Sequence, residues 1–234
     1  MQKLLLISIV ALALSPFATQ AQTPAPAQPQ QTPAQPPAQA QAPAHAGHEY
    51  SPLVEKTVNY KNWSLPNIKT AIDEDLRALM AGKKLVMIVY FAPWCGNWKN
   101  EAPVAAKLYE KYKNNGFLVI GVSEYAKLDD IRNFFGEAGA PYPVVVESDS
   151  REEKFKTLHY EYRQLTGDNR NWGSPWNIFL EPAKVNKKGD LLTEKAWVVN
   201  GELIEDEVDK FIASKVGAAP STTAGVIEPC KNCQ

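Results

Sequence analysis

Residues 85–103, LVMIVYFAPWCGNWKNEAP, constrain the fold of this chain more than any other stretch. They open with an unbroken apolar run, rich in Val, Ile and aromatic residues, which is typical of a strand buried on both faces. A turn at Pro93 then places Cys95 at the predicted start of a helix. There the unpaired N–H groups and the positive end of the helix dipole favour the thiolate over the thiol. The stretch therefore predicts a central strand that delivers a reactive cysteine to a helix N-terminus.

Apolar periodicity predicts helices and strands in alternation through the globular part of the chain. The predicted helices are residues 70–81, residues 95–115, a segment opened by Asp129, a segment that carries Phe155 and Leu165, and residues 203–212. The predicted strands are residues 85–92, 117–123, 142–146, 176–180 and 191–199, and the last two form an antiparallel hairpin. This order predicts an α/β fold with a central mixed sheet that helices cover on both faces.

The chain before residue 50 is predicted to be a targeting segment followed by a spacer. Lys3 precedes an apolar run over residues 4–14, and Ala18 and Ala21 offer small residues for cleavage, so residues 1–21 are predicted to be a signal peptide. An uncleaved membrane anchor is the alternative, although a spanning helix needs about 20 apolar residues. Residues 22–49 are rich in Ala, Pro and Gln, which predicts a disordered linker. The globular domain, residues 50–216, is then expected outside the cytoplasm, in a bacterial periplasm.

The charge of the chain gives no sign of a polyanionic partner. Its formal net charge is −1, and it has no long run of like charge. Nucleic acid and anionic membrane surfaces are therefore not expected as partners. Contact with a membrane is expected only through an uncleaved signal segment.

The residues around Cys95 resemble one family of thiol-disulfide oxidoreductases. In the TlpA- and ResA-like periplasmic proteins of the AhpC/TSA-redoxin clan, the signature is Trp-Cys-x-x-Cys, a basic residue, and then x-Glu-x-Pro. The matching residues are Trp94, Cys95, Gly96, Lys99, Glu101 and Pro103. The Gly-Ser-Pro sequence at residues 173–175 is similar to the turn that carries the family's cis-proline. The resemblance covers about residues 63–216 and implies a thioredoxin fold.

The sequence departs from that family at the resolving cysteine. Trp98 stands in its place, and Val89 stands where thioredoxin itself has a buried acid that helps to deprotonate the second cysteine. The peroxiredoxin branch is a weaker match, because Ile88 and Ala92 occupy the positions of its Pro and Thr. Cys95 can still form a mixed disulfide. Its release then needs an external thiol, the substrate's own second thiol, or a distant cysteine of this chain.

The resemblance also implies substrate contacts around the sulfur. Ser174 and a cis-Pro175 would lie beside Cys95 and present a backbone edge to an extended substrate peptide. Trp94 and Trp98 flank the cysteine in the sequence and are predicted to add flat apolar contacts.

Three titratable residues have open roles in the sequence. Glu101 and Glu124 are candidates for proton transfer to Cys95, or else are a helix-surface charge and a strand-end charge. His159 falls at helical spacing beside apolar residues and is predicted to be a partly buried packing residue.

Residues 217–234 are predicted to be a flexible tail that ends in a second cysteine motif. Cys230 and Cys233 can form their own disulfide, or can resolve Cys95 within one chain or between chains. The tail is long enough to cross a domain of about 30 Å but would not rest there by default. A zinc site that combines these cysteines with His45 and His48 is also open. A c-type haem site is not expected, because no histidine follows the motif.

Two functions from different classes remain. The first is an exported thioredoxin-like thiol-disulfide oxidoreductase or isomerase, of the redox-homeostasis or antioxidant type, with Cys95 as the attacking thiol. Its partners would be protein thiols and disulfides or an envelope redox protein. The second is a redox-inactive thioredoxin-fold domain that binds extended polypeptides as a chaperone or envelope scaffold. Neither hypothesis includes a cofactor or a resident metal ion.

Overall fold

The structure, a computed structural model, describes residues 47–218. The predicted signal peptide, nearly all of the predicted linker and the cysteine-containing end of the tail lie outside the described residues, so those predictions remain predictions. Within the described part of the chain, no helix is long and apolar enough to span a membrane.

The described residues form strands and helices in alternation, as predicted. The strands are β1 (Tyr50–Ser51), β2 (Val54–Thr57), β3 (Ser64–Pro66), β4 (Asp73–Asp75), β5 (Leu85–Phe91), β6 (Phe117–Ser123), β7 (Val144–Val146), β8 (Trp176–Leu180), β9 (Lys195–Val199) and β10 (Glu202–Leu203). The helices are α1 (Leu76–Leu79), α2 (Gly96–Tyr112), α3 (Leu128–Phe135), α4 (Leu158–Thr166) and α5 (Glu205–Val216), with 3₁₀ turns at Lys113–Asn115, Arg151–Lys156 and Pro182–Lys184.

Six strands form the central sheet, in the order β2-β9-β8-β5-β6-β7. Strand β6 runs parallel to both β5 and β7, whereas β8 is antiparallel to β5 and to β9, and β2 is antiparallel to β9. The sheet is therefore mixed, which confirms the predicted fold class. Because β5 lies inside the sheet, all seven of its residues are buried, and this explains its unbroken apolar sequence.

Alternate residues of β5 point to opposite faces of the sheet and take part in two separate hydrophobic cores. Met87, Val89 and Phe91 pack on the face that helices α2, α3 and α5 cover. Ile88 and Tyr90 pack on the opposite face, with residues of α1 and α4. The helices thus cover both faces of the sheet, and they hold the end of β5 rigidly where the chain turns toward Cys95.

The predicted helix over residues 70–81 is wrong in its first half. Asp73–Asp75 is strand β4, which pairs antiparallel with β3. The Asn67 side chain accepts two backbone N–H bonds and Ala71 has a φ of +56°, so the chain turns tightly before β4. Asp75 then caps the short α1, with its side chain accepting the Ala78 N–H. Ile72 lies outside the helix and is 68% exposed.

The apolar stripe predicted for the fourth helix is interrupted at Thr157. Arg151–Lys156 forms a 3₁₀ turn, and Thr157 begins α4 as its N-cap, with its hydroxyl accepting a backbone N–H. Phe155 and Leu165 are consequently exposed, and Tyr162 is the residue of the stripe that is fully buried.

Candidate thiol site

Cys95 lies where the sequence predicts it, at the start of α2. Its backbone is extended, with φ −75° and ψ 130°, and it is the N-cap residue of the helix. Its N–H donates to the Ala92 carbonyl at 2.9 Å, and its carbonyl accepts the Lys99 N–H at 3.1 Å. The side chain makes no capping hydrogen bond, and the residue is half-buried. The backbone therefore closes the turn and leaves the thiol outside the helix.

The thiol meets the proline turn that the sequence places 79 residues later. The Ser174–Pro175 peptide bond is cis, as expected from the resemblance. The Cys95 thiol donates to the Ser174 carbonyl, with 3.2 Å between sulfur and oxygen. The Ser174 hydroxyl in turn accepts the Ala92 N–H at 2.9 Å, so the two turns are joined by two hydrogen bonds. Ser174 and Pro175 are both buried, and their predicted contact with substrate remains a prediction.

Trp98 is not the flat substrate contact that the sequence suggested. The side chain is completely buried and stacks on Phe91, with 4.3 Å between ring centroids. Phe134 lies on another side, at 5.8 Å. Because one helical turn carries Trp98 onto the face of α2 that covers β5, the residue that replaces the second cysteine fills the core beneath the site.

Trp98→Cys, which restores a two-cysteine motif, is expected to destabilise the folded protein by about 3–5 kcal/mol. The change removes most of a fully buried indole and leaves a cavity against Phe91. Urea unfolding followed by circular dichroism measures the loss. Trp197→Cys is the matched control, because Trp197 is only partly buried. Equal losses in the two variants would contradict the packing role of Trp98.

Trp94 lies at the rim of the site. Its indole N–H donates to the Tyr125 carbonyl at 3.1 Å, and its ring meets Trp172 edge to face at 5.1 Å. The Arg151 guanidinium lies over the same ring, 4.1 Å from its centroid. Trp94 is half-buried, so the substrate contact predicted for it remains a prediction.

A buried charge cluster holds the proline turn from the inside. Arg163 donates to the Asp168 carboxylate at 3.2 Å, and Arg170 donates to both carboxylate oxygens, at 3.0 and 2.7 Å. Burial alone would raise the pKa of Asp168, but hydrogen bonds and charges of the two arginines lower it below its ordinary value. Arg170 also donates to the Pro175 carbonyl at 2.7 Å. The cluster therefore fixes the backbone directly after the cis bond.

Glu101 is buried in α2, and the alternative of a helix-surface charge is wrong. One carboxyl oxygen accepts the Leu203 N–H at 2.9 Å and the Asn177 side chain at 3.3 Å. The other oxygen has no partner among the described residues. Burial raises the pKa of Glu101 from 4.5 to about 8. No hydrogen bond within the described residues joins Glu101 to Cys95, and its role in proton transfer remains a prediction.

Glu124 is also completely buried, just after β6. Its N–H donates to the Phe91 carbonyl at 2.8 Å. Its backbone therefore lies at the end of β5, the strand that leads to Cys95. Neither carboxyl oxygen makes a hydrogen bond of ordinary geometry within residues 47–218. Burial, and then the neighbouring carboxylate of Glu147, raise the pKa of Glu124 well above its ordinary range. The surroundings of Glu124 therefore favour its protonated, neutral form, and its proton transfer to Cys95 remains a prediction.

His159 is fully buried and does more than pack. Because a carbonyl can only accept, its Nε2 donates to the Gly173 carbonyl at 3.2 Å, and its Nδ1 accepts the Tyr125 hydroxyl at 3.1 Å. Burial, reinforced by the charge of Arg163, lowers the pKa of His159 to about 3. This neutral imidazole joins α4 to the residue before Ser174. No pattern in the sequence predicts its hydrogen-bond partners.

The second cysteine motif cannot be placed. His45, Cys230 and Cys233 lie outside the described residues, so the relay and the zinc alternative remain predictions. His48 is described, and its Nδ1 lies 3.0 Å from the Glu202 carboxylate. Between residues 47 and 218, no group of three or more potential metal ligands occurs.

The fold defines a thioredoxin-like protein, and the site places a cysteine at the start of the helix that follows the central strand β5. The family model described as AhpC/TSA matches residues 59–167. Among solved structures, a secreted thiol-disulfide isomerase from Corynebacterium glutamicum superposes with a TM-score of 0.51 at 14% identity, over 70% of this chain and 92% of that chain. That likeness supports the thioredoxin-like fold.

Curated relatives include a protein disulfide-isomerase of Drosophila melanogaster, 34% identical over 74 residues, which are 31% of this chain and 14% of the relative. A probable phospholipid hydroperoxide glutathione peroxidase of Citrus sinensis is 26% identical over 157 residues, or 62% of this chain and 90% of the relative. The chain thus spans only a small part of the disulfide-isomerase and most of the peroxidase. The TlpA/ResA subtype remains a prediction.

Proposed function

We propose that this protein is an exported thiol-disulfide oxidoreductase of the TlpA/ResA type, with Cys95 as its attacking thiol. The observation that carries the proposal is the position of the Cys95 sulfur, 3.2 Å from the Ser174 carbonyl and at the N-terminus of α2. Cys95 is half-buried at this point, and a helix N-terminus is a position that favours negative charge. Relatives named as disulfide-isomerases support the same chemistry.

The reaction begins with loss of the Cys95 thiol proton to solvent. This frees the Ser174 carbonyl, which then accepts an N–H of an extended substrate backbone. The thiolate attacks one sulfur of a substrate disulfide, a new S–S bond forms with Cys95, and the other sulfur leaves as a thiolate. For reduction, an external thiolate attacks the Cys95 sulfur of this mixed disulfide, the substrate sulfur leaves as a thiolate, and a second external thiolate then attacks the external sulfur and releases Cys95. The substrate gains two thiols and the two external thiols become a disulfide. For isomerisation, a thiolate of the substrate attacks the substrate sulfur of the mixed disulfide and releases Cys95 directly.

The fold favours an external thiol over the tail cysteines of the same chain. Helix α5 ends at Val216, whose carbonyl accepts the Lys84 ammonium at 2.8 Å, directly before β5 begins. Cys95 follows the opposite end of β5, which at about 3.3 Å per residue is about 23 Å away. The roughly 12 residues from 218 to Cys230 span at most about 40 Å when fully extended. Resolution within one chain would therefore need the tail to stay extended over more than half of that length, which an external thiol does not require.

The test is a disulfide reduction and isomerisation assay on the full chain, Cys95→Ser, and the double variant Cys230→Ser/Cys233→Ser. We expect Cys95→Ser to abolish turnover, and the double variant to retain it when an external thiol is supplied. Turnover that survives in Cys95→Ser would refute the proposal. If Cys95→Ser also bound reduced polypeptides as well as the unchanged chain does, the redox-inactive polypeptide-binding function would replace it. Loss of turnover in the double variant would instead establish the tail relay.

A further inference from the structure

Two cations and two indoles form a ledge beside the thiol. The Arg151 guanidinium lies 4.1 Å from the Trp94 ring centroid and 5.8 Å from that of Trp172. The Lys154 ammonium lies 4.6 Å from the Trp172 centroid. Trp94 is bonded directly to Cys95, and Trp172 comes two residues before Ser174. These four residues, Trp94, Arg151, Lys154 and Trp172, are the cationic ledge, and they connect both turns of the thiol site.

The local helix type sorts the charges around the ledge. Arg151–Lys156 is a 3₁₀ helix, in which side chains three residues apart lie one above the other. Arg151 and Lys154 therefore share one side, toward the indoles. Glu152 and Glu153 are on the other sides, and Glu152 is held by the hydroxyl of Ser150. The segment Arg-Glu-Glu-Lys is neutral as a whole, but the side of it that meets the two indoles is positive.

The Arg151 guanidinium has N–H donors that bind no acceptor among the described residues. Of the arginines in the described part of the chain, it is the one whose guanidinium has neither a hydrogen-bond acceptor nor an ion-pair partner. The other four donate to backbone or carboxylate oxygens: Arg77, Arg132, Arg163 and Arg170. Stacking on an indole leaves the edge of a guanidinium free for a carboxylate. Lys154 donates one hydrogen bond, to the Asn171 side chain at 2.7 Å, and keeps its remaining donors.

Three acidic residues lie near one side of the ledge. A groove of about 410 Å³ beside Trp94 and Arg151 is lined in part by Asp130, Asp149 and Glu152. Lys154 and Trp172 do not line that groove. The Trp172 side of the ledge, next to the proline turn, therefore lies apart from these three carboxylates.

We propose that the cationic ledge binds a carboxylate of the substrate, so that the preferred substrates are disulfide-bonded polypeptides with Asp or Glu beside the cysteine. This inference rests on the proposed function, because it concerns which disulfide reaches Cys95. The ledge adds no chemical step. It raises the rate of attack by holding an acidic substrate against the turn that carries the sulfur.

The test compares an anionic with an uncharged disulfide. The chain has three cysteines, and the double variant Cys230→Ser/Cys233→Ser keeps only Cys95. Its rate constants with 5,5′-dithiobis(2-nitrobenzoate) and with 4,4′-dithiodipyridine are measured separately. Adding Arg151→Gln should lower the rate with the anionic reagent by about two- to fivefold, the effect of one exposed ion pair. Adding Lys154→Gln as well should lower it further. The rate with the uncharged reagent should not change.

The matched control is Lys156→Gln, which removes the same charge from the same 3₁₀ turn without touching an indole. A loss of selectivity equal to that of Arg151→Gln would show a general charge effect and overturn the ledge. Two disulfide peptides that differ only in Glu or Lys beside the cysteine test the polypeptide class. If Arg151→Gln left the ratio of the rates with these two peptides unchanged, polypeptides with Asp or Glu beside the cysteine would not be the preferred substrates. A Cys95 that reacts with neither reagent would contradict the proposed function itself, whereas reaction with both at a ratio independent of Arg151 would overturn only the ledge.

Discussion

Gly173→Ala is expected to destabilise the folded protein by about 3–5 kcal/mol and to disrupt the thiol site with it. Gly173 has a φ of +61°, a region that costs an alanine about 1–2 kcal/mol. A Cβ at this position would also lie 1.7 Å from Nε of Arg163. Arg163 cannot yield easily, because it is 1% exposed and is paired with Asp168. Urea unfolding measures the loss, and the alkylation rate of Cys95 reports the site.

Gly167→Ala separates the backbone cost from the clash. Gly167 ends α4 in the left-handed region with φ +78°, and a Cβ there would have no atom within 4 Å. We expect it to lose only about 1 kcal/mol and to keep the alkylation rate of Cys95. If the two variants were equally destabilised, the contact between Gly173 and Arg163 would not be the reason, and the account of the buried cluster would fail.

The sequence predicts those parts of the fold that have a long pattern of apolar residues within one continuous segment. Strands β5 and β6 are unbroken apolar runs, and α2 and α5 repeat apolar residues at helical spacing, so all four are confirmed within a few residues. Strands β3 and β4 could not be predicted in this way. Asp73–Asp75 has the composition of a helix start, and only its ladder with Ser64–Pro66 makes it a strand. Such pairing is a tertiary effect that a local pattern does not contain.

The thiol site, like the fold, has parts that the sequence predicts and parts that it does not. The motif predicts Cys95 and the proline turn, because each is a local sequence with a defined backbone role. The burial of Trp98 and Glu101 is predictable, because a signal for it is present in the sequence. They are three residues apart and continue the face of α2 that buries Leu108 and Tyr112, so helical spacing alone places both toward the core.

The contacts of the buried arginine cluster had no comparable signal. The stretch that carries Arg163, Asp168 and Arg170 is polar, which is typical of an exposed loop. These residues are buried because the proline turn folds over them. The pairing of Tyr125 with His159 likewise joins residues from separate elements. Sequence patterns show which residues are apolar, but they do not show which buried polar groups find one another.

Glu101→Gln is expected to stabilise the protein at pH 8 and to have little effect near pH 4.5. Burial raises the pKa of Glu101 from 4.5 to about 8, so the folded state holds this proton more tightly than the unfolded chain does. The stability that this proton contributes is fully present below about pH 4.5 and is lost as pH rises through about 8. At 1.36 kcal/mol per pH unit, the loss is at most about 5 kcal/mol. Glutamine avoids it, because it has no proton to lose.

Glutamine keeps the hydrogen bonds of one Glu101 oxygen, because its carbonyl can still accept the Leu203 N–H and the Asn177 side chain. Its amide, like the proton of the neutral acid, meets no acceptor among the described residues, so this cost is similar for the two side chains. Urea unfolding at several pH values between 4.5 and 8 compares the variant with the unchanged chain. Because Glu124 adds a slope of the same sign in both proteins, the quantity that decides is the difference between them. Glu110→Gln, an exposed position on the same helix, should leave this difference at zero across the range. A difference for Glu101→Gln that did not grow with pH would mean that its carboxyl is ionised in the folded protein.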